Sequence, residues 1–175
     1  METEKFMKIM VTGAGGFVGS RLVAYYGEKY DVWGVTHKDL DLTDEAAVFK
    51  TVENYRPDVL LHCAAVSDVA ECSKKPELSH AVNVLGMEYL AKACGKTGTK
   101  LVMCSSDQVY FRKRGEQESL DAYLELHRED CIETPEPLYG KQKLQGEELC
   151  LKYQPESVVL RLSWMYDSLT EKELA

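Results

Sequence analysis

The chain of 175 residues has no Cys-x-x-Cys pair, no apolar run of membrane-spanning length and no surplus of positive charge. Each absence excludes something. Its six cysteines, at positions 63, 72, 94, 104, 131 and 150, are scattered, and several sit in apolar runs where a reduced thiol packs as a small hydrophobe. A reducing compartment is the expectation, and no metal site is expected. No run approaches the ~18 apolar residues that would suggest a bilayer span, and Met1-Glu2-Thr3-Glu4-Lys5 lacks the basic and apolar regions of a secretory leader. This predicts a cytoplasmic protein without a membrane partner. A formal net charge of −8 argues against a nucleic-acid surface. The basic cluster Arg112-Lys113-Arg114 is short, is followed by acids and reads as a solvated loop.

What the chain does have is a glycine-rich punctuation near its start. Lys8-Ile9-Met10-Val11-Thr12 is apolar and strand-like, Gly13-Ala14-Gly15-Gly16 interrupts it, and Phe17-Val18-Gly19 opens a segment with Val18, Leu22 and Tyr26 at the spacing of a buried helical stripe. Strand, tight turn and helix together form a phosphate-binding unit, in which helix N–H groups and the positive dipole end face a pyrophosphate. Gly13 would make the turn, Gly16 would admit the phosphates, and Gly19 would let helix and strand approach. The spacing is G-x-x-G-x-x-G, with Val18 where the commoner dehydrogenase pattern has its last glycine.

Further runs at 31–36, 57–65, 100–104 and 157–162 read as buried parallel strands alternating with helices. The pattern predicts an α/β, Rossmann-type doubly wound parallel sheet with helices on both faces. Thr36-His37-Lys38 follows the second strand, where a carboxylate would read a free ribose 2′-OH and a cation a 2′-phosphate. The cation there leans to NADP(H) over NAD(H), with Asp39 only three residues on. Thr43 or Asp41 can cap the helix starting at Glu45, and Asp41 is also a candidate for the adenine amino group. Cys63-Ala64-Ala65 ends the third strand in small residues suited to a cofactor wall. A helix is expected from about Pro76 to Cys94, ended by Gly95 and Gly98. Ser105-Ser106-Asp107 sits at the end of the fourth strand, where ligands bind in open parallel sheets. Residues 111–136 are a long polar connection of the kind that shapes a substrate site.

Tyr139 and Lys143 are four apart on the next predicted helix and share a face. An ammonium beside a phenol favours the phenolate and would lower a pKa of about 10 toward the range of an acid–base catalyst.

With these residues in view, the chain resembles the extended short-chain dehydrogenase/reductases, and within them the dTDP-4-dehydrorhamnose reductase (RmlD-like) group. The resemblance rests on the segment Val11–Gly19, Asp41-Leu42-Thr43-Asp44, His62-Cys63-Ala64-Ala65, Asn83-Val84, Ser105-Ser106-Asp107, Tyr139-Gly140-Lys141-Gln142-Lys143 and Leu160-Arg161-Leu162. It implies Tyr139 as proton donor, Lys143 as the group that tunes it and holds the nicotinamide ribose, and Ser106 on the substrate oxygen. It also implies Phe17 and Val18 at the pyrophosphate, Asp41 and Leu42 at the adenine, Cys63, Ala64 and Ala65 beside the cofactor, and Asn83 near the active-site face. The implied reaction is reduction of the 4-keto group of a nucleotide-activated deoxysugar by NAD(P)H, with a nucleotide sugar as partner and a homodimer possible in such a family. Residues 1–175 would be the cofactor domain, ending just after what the family pattern counts as the sixth strand, with the usual C-terminal substrate domain not in this sequence. The resemblance also implies two alternatives: a noncatalytic NADP-binding regulatory subunit like that of methionine adenosyltransferase, and a nucleotide-sugar epimerase or dehydratase. Departures are Ser106 in place of threonine, Gln108-Val109-Tyr110-Phe111-Arg112 in place of Tyr-Val-Phe-Asp-Gly, and the longer loop before Tyr139.

Overall fold

The computed structural model describes residues 6–112, 115, 119, 128–130 and 134–166. Most of the predicted 111–136 connection lies outside them. The five apolar runs form strands β1 Lys8–Thr12, β2 Asp31–Val35, β3 Val59–His62, β4 Lys100–Ser106 and β5 Val158–Leu162. All pair parallel, in the order β2-β1-β3-β4-β5. The run counted as a sixth strand is therefore the fifth among the described residues.

Strand order decides where the helices go. The step from β1 to β2 crosses the sheet one way and every later step crosses it the other way. Right-handed crossovers then put α1, Phe17–Gly27, on one face and α2, Glu45–Tyr55, on the opposite face. Between β3 and β4 the chain forms α3 Val69–Lys74, α4 Pro76–His80, a π-helical turn Ala81–Leu85 and α5 Gly86–Thr97. Between β4 and β5 it forms a 3₁₀ turn Asp107–Tyr110 and α6 Leu138–Tyr153. α2 packs on α5 and α5 on α6, whereas α1 meets β1 and β2. The core lies on the three-helix side, where Met10, Leu60 and Met103 from the sheet meet Val48, Met87 and Leu90, all at 0 % exposure.

Three local expectations are corrected. The stripe Val18, Leu22 and Tyr26 is only half-buried, because α1 lies at the edge strand β2 with no described helix beside it on that face. The cap of α2 is Asp44, which accepts from the Ala47 N–H at 3.0 Å, while Asp41 turns to Thr43 instead. Gly98, with φ +72°, does cap α5, but Gly95 is interior: a Cβ there would stand 2.5 Å from the Tyr153 carbonyl oxygen, so the glycine serves the close approach of α5 to the end of α6.

Candidate active site

β1, β3 and β4 all end in one cleft of about 1100 Å³ at the carboxyl edge of the sheet, beside the point where strand order reverses. That is where open α/β sheets bind ligands, and the volume exceeds the ~300–1,000 Å³ of a typical small-molecule pocket.

One wall is the glycine turn. Gly13 leaves β1 with φ +72°, and a Cβ on it would lie 2.6 Å from the Ala64 backbone nitrogen, so the turn and the Cys63-Ala64-Ala65 wall meet without room for a side chain. A Cβ on Gly19 would run into the Gly13 carbonyl, which presses α1 against the end of β1. Gly16 is the N-cap of α1, and its N–H donates to the Gly13 carbonyl at 2.9 Å. It brings no capping oxygen, and the first turn of α1 has no acid. α2 and α3 are capped by Asp44 and Asp68. The first-turn residues Phe17, Val18 and Gly19 line the cleft, so the uncapped end of this helix faces into it.

Beyond it, Thr36, His37, Lys38, Asp41 and Leu42 line the same cleft. The Thr36 N–H and hydroxyl both donate to Asp39 Oδ2, at 2.8 and 2.7 Å, and hold that carboxyl below its ordinary range. Asp39 is thereby turned into the β2–α2 loop. Asp41 Oδ1 likewise accepts from the Thr43 N–H and hydroxyl, at 2.9 and 2.7 Å, which lowers its pKa.

The opposite wall carries Ser106, Tyr139 and Lys143. The Ser106 hydroxyl ends β4, accepts from the Gln108 N–H and donates to Asp107 Oδ1, both at 3.2 Å, and lies close enough to the Tyr139 phenol to favour its ionised form slightly. Tyr139 is raised to about 12, by burial first and by nearby Cys72 second. Lys143 is 2 % exposed, is pushed down to about 8 by burial, and donates to the Cys104 carbonyl at 2.6 Å. The expected lowering of the phenol by Lys143 is therefore not present in this state: desolvation dominates and the ammonium is turned toward β4. Under the lysine, His62 is fully buried, 2.8 Å from the Thr12 hydroxyl, and pushed down to about 3 by burial and the charge of Lys143.

Asn83 is the one predicted site residue that does not line the cleft. It accepts from the Val66 N–H at 2.8 Å and donates to the Val66 carbonyl at 3.0 Å and to Gln142 Oε1 at 2.9 Å, which fixes the wall from behind. Sequence reasoning missed this bracket, and it also missed Glu147. That buried carboxylate accepts from the Ser105 hydroxyl and pairs with Arg161 at 2.7 Å. Its signal was available: Glu147 lies four residues beyond Lys143 on the same helix face.

Fold and cleft together define a dinucleotide-binding domain of the extended short-chain dehydrogenase/reductase class. The chain belongs to the RmlD family, whose model, described as the RmlD substrate binding domain, matches residues 7–175. It is 34% identical over 168 residues to a dTDP-4-dehydrorhamnose reductase of Mycobacterium tuberculosis, covering 95% of this chain and 53% of that protein. It is also 34% identical over 167 residues to methionine adenosyltransferase 2 subunit beta of Xenopus laevis, covering 91% and 47%. Among solved structures, the Bacillus anthracis dTDP-4-dehydrorhamnose reductase in complex with NADP superposes with a TM-score of 0.83 at 28% identity, covering 94% of this chain and 56% of that one. The chain thus spans about half the length of the curated relatives it matches.

Proposed function

We propose that residues 1–175 are the NADP(H)-binding half of a reductase acting on the 4-keto group of a nucleotide-activated deoxysugar. The observation that carries this reading is the meeting, in one cleft, of the uncapped α1 turn with Ser106, Tyr139 and Lys143, drawn from opposite ends of the sequence. When bound, the nicotinamide supplies the hydride. The chain's own part is to hold the pyrophosphate on the α1 N–H groups and to position the ligand against the Cys63–Ala65 wall. Ser106 hydrogen-bonds the substrate oxygen, and Tyr139, kept protonated by burial, delivers a proton to that oxygen. Lys143, which lines the same cleft with its ammonium held on the Cys104 carbonyl, orients the ribose.

The preference for NADP(H) is supported by the ribose end of the cleft. Asp39 is turned into Thr36, leaving His37 and Lys38 to line that end, and the Bacillus anthracis relative was solved with NADP. Titration of the 175-residue protein with NADPH and with NADH, followed by nicotinamide fluorescence and melting temperature, tests this. Saturable binding, tighter for NADPH, is expected; a folded sample that binds neither overturns the proposal.

A second reading, a noncatalytic NADP-binding subunit, is favoured by the raised Tyr139 phenol and by the similarity to the methionine adenosyltransferase subunit. In the complete protein, turnover of a dTDP-4-keto sugar with NADPH that falls at least ~100-fold with Tyr139→Phe supports the reductase. Cofactor binding without any turnover supports the second reading.

A further inference from the structure

The floor of the cleft holds a pair of thiols to which the proposed chemistry gives no work. β3 and β4 run parallel in the register His62↔Met103, and the next residues along, Cys63 and Cys104, bring their sulfurs to 3.6 Å with a hydrogen shared between them. Both thiols are free, both are half-buried, and both line the open cleft. Cys72, Cys94 and Cys150 are buried instead.

We propose that Cys63 and Cys104 form a redox-active dithiol, a modification site in the cleft floor that hydroperoxides oxidise to an intramolecular disulfide. Neighbouring strands stand about 4.8 Å apart, inside the ~4.4–6.8 Å range of Cα separations that disulfides bridge. The sulfurs therefore need only rotate about χ1 and close to about 2.05 Å.

The two cysteines have different parts to play. Lys143 Nζ is held on the Cys104 carbonyl at 2.6 Å, and its charge, with the hydrogen shared with Cys63, lowers the Cys104 thiol against its burial. Cys104 is thus the attacking thiolate and Cys63 the resolving thiol. In the first step the Cys104 sulfur attacks one oxygen of hydrogen peroxide and the O–O bond breaks. Cys104 becomes a sulfenic acid, and the departing hydroxide takes a proton to leave as water. In the second step Cys63 gives up its proton and attacks the Cys104 sulfur, the S–S bond forms, the S–O bond breaks, and the hydroxyl leaves with that proton as a second water. Two thiols lose two electrons and one peroxide gains them. The Lys143 ammonium stays beside the sulfurs throughout as the positive charge that favours the thiolate.

The test uses the 175-residue protein, without added nucleotide, treated with a small excess of hydrogen peroxide and quenched by alkylation in denaturant. Uptake of alkyl groups at four of the six cysteines, and a peptide in which Cys63 is joined to Cys104 while Cys72, Cys94, Cys131 and Cys150 are alkylated, are expected. Cys63→Ser should accumulate a sulfenic acid at Cys104 that a dimedone probe traps, and Cys104→Ser should slow oxidation at position 63 at least tenfold. Cysteines oxidised at equal rates, or a wild-type protein with no Cys63–Cys104 peptide, overturn the proposal even if neither variant folds. Because peptide mapping needs no nucleotide, a failure to bind NADPH would sink the cofactor reading alone.

Discussion

Two buried bases sit beneath the candidate site, and both carry a cost that can be read from their titration. Lys143 is pushed down to about 8 by burial from an ordinary 10.5. Below pH 8 it is protonated in both folded and unfolded chains, and the burial costs about 3 kcal/mol in full; as pH rises from 8 to 10.5 the folded chain releases its proton first and stability increases. Lys143→Met is expected to raise stability at pH 7 by roughly 1–3 kcal/mol, less whatever the orphaned Cys104 carbonyl loses, while abolishing turnover in the complete protein. Urea unfolding paired with a reductase assay checks both halves. His62 behaves oppositely in pH. Pushed down to about 3, it is neutral when folded, whereas the unfolded imidazole takes up a proton below about 6.5. Stability is complete above 6.5 and declines as the solution is acidified, by about 2 kcal/mol from this group at pH 5. Replacement by His62→Gln should flatten the difference in unfolding free energy between pH 7 and pH 5; an unchanged pH slope would contradict a neutral buried His62.

At the level of elements, α6 is the hinge of the site. Its inward face carries Gln142, Lys143 and Glu147, polar groups that are all at or below 5 % exposure. Each is satisfied by a different neighbour: Gln142 by Asn83 and Ser79, Lys143 by β4, Glu147 by Ser105 and Arg161. Asn83 sits in the π-helical turn and is the link to the cofactor wall. Asn83→Ala strands the Val66 N–H and one Gln142 acceptor, so a loss of about 2–3 kcal/mol is expected in denaturant unfolding. A change under 0.5 kcal/mol would show that Val66 finds other partners. These elements also mark how far the sequence could be read. The turn at Gly13 was legible because a positive φ against the Ala64 backbone admits no side chain, and Tyr139 with Lys143 because four-residue spacing is local. Where the Lys143 ammonium points was not, since its acceptor belongs to β4, a distant strand. The π turn was hidden for a different reason: one extra residue within a helix leaves the apolar pattern from Pro76 onward nearly intact. The Cys63–Cys104 contact depends on the register of β3 against β4, which no local pattern encodes.

Across the whole molecule, the two faces of the sheet are unequal. Among the described residues, α2, α5 and α6 cover one, while the face that carries α1 leaves Val158 and Leu160 of β5 at 39 % and 42 % exposure. Phe111, Trp164 and Tyr166 are exposed at 48 %, 87 % and 90 %, and Trp164 lines the cleft. Apolar surface of this extent promotes association. Sedimentation velocity of the 175-residue protein from low to high micromolar concentration is expected to show a concentration-dependent shift to larger species, and Trp164→Ser with Tyr166→Ser should reduce it. A single sedimenting monomer throughout would refute the expectation. The sheet order has one more effect, on the time course of folding. β1 lies between β2 and β3, and Gly13 is packed by Ala64, so the phosphate turn written in the first twenty residues has no far wall until about fifty more have left the ribosome. The ligand cradle is translated well before the wall that completes it, and through that interval the apolar edge of β1 depends on β2 alone for shelter.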